Sequence, residues 1–176
     1  MPMQLSAFTN ARDTAPVWPL PILNGNVPTV IDRGVRTPGV HLTYENAALV
    51  PRLIPIFSVA DGEIVYAGKQ SAGYCVVVDH LNGWASYYNN LEHMFARPRA
   101  ETKRGKLERV KAGDVLGFVD LKNERSEKGL YFELWTRGEE SLFTTTNVND
   151  HIYHWALLPW SDEHTNRKPV TIPVAA

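Results

Sequence analysis

Between residues 55 and 89 the chain alternates short β-forming runs with glycine turns, a spacing no helical period fits. Two β-rich runs flank Asp61-Gly62, a dipeptide suited to a tight hairpin turn, and Gly68 ends the second. Residues 74–79, with Cys75 among valines, are apolar on both faces and predict a central strand. Asn82-Gly83 turns the chain again, and residues 84–89 return as a fourth strand. This stretch reads as an antiparallel β-meander, and it commits the middle of the chain to a mainly β domain.

Composition adds bounds. The 176 residues are 44% hydrophobic and 21% charged, which suits one globular domain with a sizeable core. A net charge of -1 gives no bias toward nucleic acid or a membrane surface. Cys75 is the single cysteine, so no intramolecular disulfide forms, and a buried inert thiol is expected. No stretch approaches the roughly 18 apolar residues of a membrane span. Residues 1–14 show no basic segment leading into an apolar one, so no secretory signal is visible.

Around the meander the chain is less regular. Residues 1–38 carry Pro16, Pro19, Pro21, Pro28 and Pro38 and predict an extended N-terminal arm, with Trp18, Leu20, Ile22 and Leu23 draped over the core. Residues 92–111 read as a basic loop, solvated or serving as a contact surface for an acidic partner. Arg97, Arg99, Lys103 and Arg104 are its partner-contact candidates. Residues 110–119 predict a turn and a strand, 122–128 a polar loop, and 129–135 an apolar strand with one charge, Glu133. Residues 136–176 form a C-terminal extension expected to pack on the same domain, with a short helix near 149–157 and a strand-like segment at 169–173.

His41 and Glu45 stand four apart in a β-rich run, where alternation places them on one face as possible nitrogen and oxygen ligands for a divalent ion. Alone, that pattern has little specificity. His80, His93, His151 and His154 are further candidates, the last two spaced to share a helix face.

The order of these pieces resembles peptidase family M23, the lysostaphin- or LytM-type zinc peptidases of bacterial cell walls. The resemblance spans roughly residues 34–135. His41-Leu42-Thr43-Tyr44-Glu45 is similar to the family's His-x-Gly-x-Asp, and residues 55–68 to its Asp-Gly hairpin. Residues 74–91 resemble the run from its Tyr-Gly strand through Asp-His-Gly-Asn-Gly to Tyr-x-His-Leu. Residues 110–119 resemble Val-x-x-Gly-x-x-Ile-Gly-x-Val, and 129–134 sit on His-Leu-His-Phe-Glu-Leu. The resemblance implies a mainly β fold: an antiparallel sheet or sandwich of the LytM, duplicated hybrid motif type. It would span residues 39–135, with an irregular N-terminal arm and a C-terminal extension.

The active-site positions depart from the family pattern. His41 keeps the first metal-ligand position, Glu45 is a longer substitute for the aspartate, and Tyr131 stands at the third ligand position. Asn90 and Gly129 replace the two catalytic histidines. A catalytic zinc typically takes three protein ligands, and neutral tyrosine is a poor one. Asn90 cannot shuttle a proton near neutral pH and Gly129 offers no side chain, and losing a general acid–base costs about 10²–10⁴-fold. The implied groove is lined by His41, Glu45, Tyr88, Asn90, Tyr131 and Glu133, and Tyr131 is expected to fill the former metal cavity with its hydroxyl toward His41 or Glu45.

The leading expectation is therefore a catalytically inactive M23-like domain that binds peptidoglycan or a protein partner and needs no cofactor. One alternative is an active zinc-dependent endopeptidase with a rearranged site, drawing a histidine from elsewhere, such as His151 or His154. Another is a structural or assembly component of a phage or secretion machine. No nucleic-acid partner and no membrane span are expected. With no secretory signal visible, the expected location is cytoplasmic, or reached by phage delivery or a non-classical secretion route.

Overall fold

The computed structural model describes residues 16–31, 38–95, 107–122, 129–137 and 142–160. Arg97, Arg99, Lys103, Arg104 and the segment 169–173 lie outside them. In chain order the strands are β1 (Ile22–Leu23), β2 (Pro28–Ile31), β3 (Val40–Tyr44), β4 (Leu53–Phe57), β5 (Gly62–Gln70), β6 (Gly73–Asp79) and β7 (Trp84–Leu91). Then come β8 (His93–Met94), β9 (Arg109–Val110), β10 (Val115–Asp120), β11 (Leu130–Arg137) and β12 (Phe143–Thr146). The helix α1 (Asn149–Ile152) and the strand β13 (Pro159–Trp160) complete the described elements.

The main sheet runs β2-β3-β11-β7-β6-β5-β9, with β12 also paired to β11, and its pairings are antiparallel. A second antiparallel sheet runs β4-β10-β8. The β5-β6-β7 meander and the central place of β6 follow the sequence pattern. One part of it does not. The runs on either side of Asp61-Gly62 do not pair: β4 joins β10 in the second sheet, while β5 joins β6 and β9. The turn is a crossing between layers, held by a backbone N–H of Ala112 donating to Asp61 Oδ1 at 2.9 Å. A backbone pair, Ser58 N to Asp114 O and Gly113 N to Ser58 O, ties the same crossing to the turn before β10.

One hydrophobic cluster joins the layers. Ile54, Ile56, Leu116 and Val119 from the second sheet meet Val76, Val78, Tyr88, Leu130, Phe132 and Leu134 from the first. Alternation along β11 therefore sends Leu130, Phe132 and Leu134 inward and Tyr131, Glu133 and Trp135 to the outer face of the main sheet. Cys75 is buried and unpaired, and burial pushes its thiol up to about 11.

The N-terminal segment is more ordered than an extended arm: Pro28–Ile31 is the edge strand of the main sheet. Upstream of it, Trp18, Leu20 and Leu23 are buried in the common core, and β1 pairs in parallel with β13. The expected helix is shorter than its sequence window, ending at Ile152. Among the described residues no helix is long and apolar enough to cross a membrane.

Candidate functional site

The strand register places the site. In β11, Tyr131 lies opposite His41 of β3 on one side and opposite Asn89 of β7 on the other. Side chains directly opposite one another share a face, so His41, Tyr131 and Asn89 form a row across the outer face. The His41 and Tyr131 rings are 5.2 Å apart, tilted by 53°. Tyr131 thus occupies the side of His41 expected of a third ligand. Its hydroxyl accepts the Gly39 backbone N–H at 3.2 Å.

The other positions are built differently from the sequence expectation. Strand β3 ends at Tyr44, so Glu45 falls in an exposed turn where strand alternation no longer applies. Asn90 sits at an irregularity in the β6–β7 pairing, with a backbone φ of 70°, and its N–H donates to Asn89 Oδ1 at 2.8 Å. Gly129 has a φ of 118°, and a Cβ built there would stand 2.2 Å from the Leu42 carbonyl oxygen. No side chain fits at that position without moving β3.

Tyr88 belongs to the core, not to the site. It is fully buried, its ring 5.4 Å from Phe132, and its hydroxyl accepts the Val59 N–H at 2.9 Å. It ends a buried polar chain. His80 Nδ1 lies 2.8 Å from the Asp61 carbonyl oxygen, which can only accept, so Nδ1 carries the proton. Nε2 then accepts from the Ser86 hydroxyl at 2.8 Å, and Ser86 Oγ lies 2.7 Å from the Tyr88 oxygen. Burial lowers the His80 pKa to about 4, with the Asp61 contact opposing the shift. His80 is therefore a neutral structural residue.

The outer face carries residues that motif matching overlooked. Tyr87 and Trp135 stack at 5.5 Å with an 18° tilt, and Tyr87 meets Tyr131 edge to face at 6.2 Å. Phe143 continues the row 6.2 Å from Trp135, with Arg137 above it at 4.3 Å. Glu133 lies within this row, and burial raises its carboxyl above the usual range, while the Tyr131 hydroxyl and Trp135 N–H work against the rise. The alternation of Tyr131, Glu133 and Trp135 along one strand was the available signal.

The donors present do not fit a zinc centre with three protein ligands. His41 has a tyrosine for a neighbour, Glu45 lies off the strand, and among the described residues no three histidine, cysteine or acidic side chains converge. His151 is no substitute. Its ring lies 5.0 Å from Trp84, a core residue at the far end of β7 from Asn89. Trp84 and Asn89 are five residue steps apart along the strand, roughly 17 Å at the usual rise.

Comparison with known proteins identifies the family and the fold. Cell division protein DipM of Caulobacter vibrioides is 36% identical over 86 residues, 48% of this chain and 13% of that protein. Lipoprotein NlpD of Yersinia enterocolitica is 35% identical over 87 residues, 48% of this chain and 80% of its own. A protein described as a glycyl-glycine endopeptidase LytM from Ruminococcus gnavus has a similar fold, with a TM-score of 0.57 at 20% identity. That match covers 84% of this chain and 63% of the other. This chain thus spans a small part of DipM and somewhat under two thirds of the LytM structure. The sequence profile of peptidase family M23 matches residues 38–142, which include every strand from β3 to β11. The chain belongs to peptidase family M23.

Proposed function

We propose that this domain is a non-hydrolytic M23 module that binds peptidoglycan on the outer sheet face around Tyr131. The observation that carries the reading is the replacement of the catalytic set within a retained framework. Tyr131 sits beside His41 where a ligand is needed, and Gly129 and Asn90 hold backbone conformations suited to themselves. The M23 resemblance links this fold to cell-wall peptides, so the outer face bearing its ligand positions is the binding surface this reading favours. Two relatives bear names from cell division and the lipoprotein class rather than from an enzyme activity, which is compatible with a binding role.

The test is co-sedimentation of the purified protein with peptidoglycan sacculi, with soluble peptide release followed in the same tube. Retention without release is expected. Release that disappears in His41→Ala would show a working metallopeptidase. Absence of retention would remove peptidoglycan as the ligand and leave a protein partner as the occupant of the face.

A further inference from the structure

Glu133 is 9% exposed, and no lysine, arginine or histidine among the described residues is paired with it. Desolvating a carboxylate without a counter-charge costs several kcal/mol. Its surroundings are specific. Gly39 packs so closely that a Cβ there would stand 2.6 Å from Glu133 Cγ and 2.9 Å from Tyr131 Cζ. Tyr131 and Trp135 flank Glu133 two residues away along β11, and Tyr87, opposite Glu133 on β7, stacks on Trp135. The three rings stay partly exposed, and the Trp135 Nε1 forms no well-aligned hydrogen bond to a described residue. The result is a largely buried carboxylate flanked on the outer face by three aromatic rings.

Such a setting selects its ligand chemically. An anion is repelled by Glu133, and a neutral group leaves the buried charge uncompensated. A guanidinium is a wide planar fork that pairs best with both oxygens of a carboxylate presented together, and Glu133 is only 9% exposed. An ammonium is compact, donates from any side, and is attracted to ring faces as well as to the carboxylate. We propose that Glu133, Tyr131, Tyr87 and Trp135 form a binding site for a primary ammonium at the end of an alkyl chain, as in a lysine-type side chain of a bound peptide. The inference rests on the binding function above and names the group that is recognised.

The probe is Nα-acetyl-L-lysine methylamide, titrated into the whole chain while the Trp135 indole N–H resonance is followed by NMR, assigned with Trp135→Phe. A saturable shift is expected. Acetylating the probe's ε-amine should abolish it, and Glu133→Gln should weaken it by about 10- to 100-fold, the range for losing one charge-assisted contact. No saturable shift with the free amine, or an equal response to the acetylated probe, overturns the proposal. The acetylated-probe comparison uses the wild-type chain, so it decides even if Glu133→Gln does not fold. Sacculus retention without probe binding would sink the ammonium site and leave the binding function standing. Probe binding without sacculus retention would keep the site and move its ligand to a protein.

Discussion

At the scale of single residues, Tyr131 and Gly129 carry the account. Tyr131 is bonded to Gly39 and faces His41, so exchanging it for histidine gives His41 a second imidazole across the strand pair. Tyr131→His should bind zinc more tightly than wild type in a calorimetric titration, yet release no peptide from sacculi, because Asn90 and Gly129 still supply no acid–base pair. Gly129→His goes the other way. Its φ of 118° and the Leu42 carbonyl leave no room for a side chain, so this variant should lose at least about 2 kcal/mol in urea unfolding. A Gly129→His domain as stable as wild type would mean that the backbone there is not committed to glycine. Motif spacing was enough to propose which residues stand at the family's histidine positions. It did not show that Tyr88 faces the core, because the tyrosine matched a motif position whose inward direction is set by register with Phe132. Nor did it bring out Tyr87, which acquires its neighbours only when β7 pairs with β11.

At the scale of elements, the crossing from β4 to β5 is the joint between the two sheets. The strands themselves were legible, since alternation and glycine turns are local. The partner of β4 was not, because β10 lies some sixty residues on and the Asp61-Gly62 dipeptide fits a hairpin equally well. Asp61 holds this joint through the Ala112 N–H, so Asp61→Ala should cost about 1 kcal/mol in urea unfolding. His80 gives it a pH dependence. Its folded pKa of about 4 lies below the unfolded value near 6.5, so the unfolded chain binds the extra proton between them. The stability from neutral His80 is complete above pH 6.5 and is lost as pH falls toward 4, about 3 kcal/mol in all. Replacing His80 with asparagine should lower stability at neutral pH and flatten the pH dependence across that window. An unchanged slope would show that His80 does not control it.

At the scale of the whole molecule, segments outside the family-matched residues 38–142 close the structure. Trp18, Leu20 and Leu23 enter the same core as Ile152 and Trp155, and β1 pairs with β13 across the ends of the described chain. Prolines marked the first of these segments as extended, but its docking depended on residues more than a hundred positions away and left no local trace. The family-matched strands are thus joined by described segments before and after them, and the outer face carries an aromatic and acidic row beside His41. The claim that this framework has exchanged catalysis for binding turns on the metal. Equilibrium dialysis of the wild-type chain and His41→Ala against micromolar zinc, followed by elemental analysis, tests it directly. The account predicts no stoichiometric zinc in either protein and no difference between them. One tightly held zinc per wild-type chain, lost in His41→Ala, would contradict it.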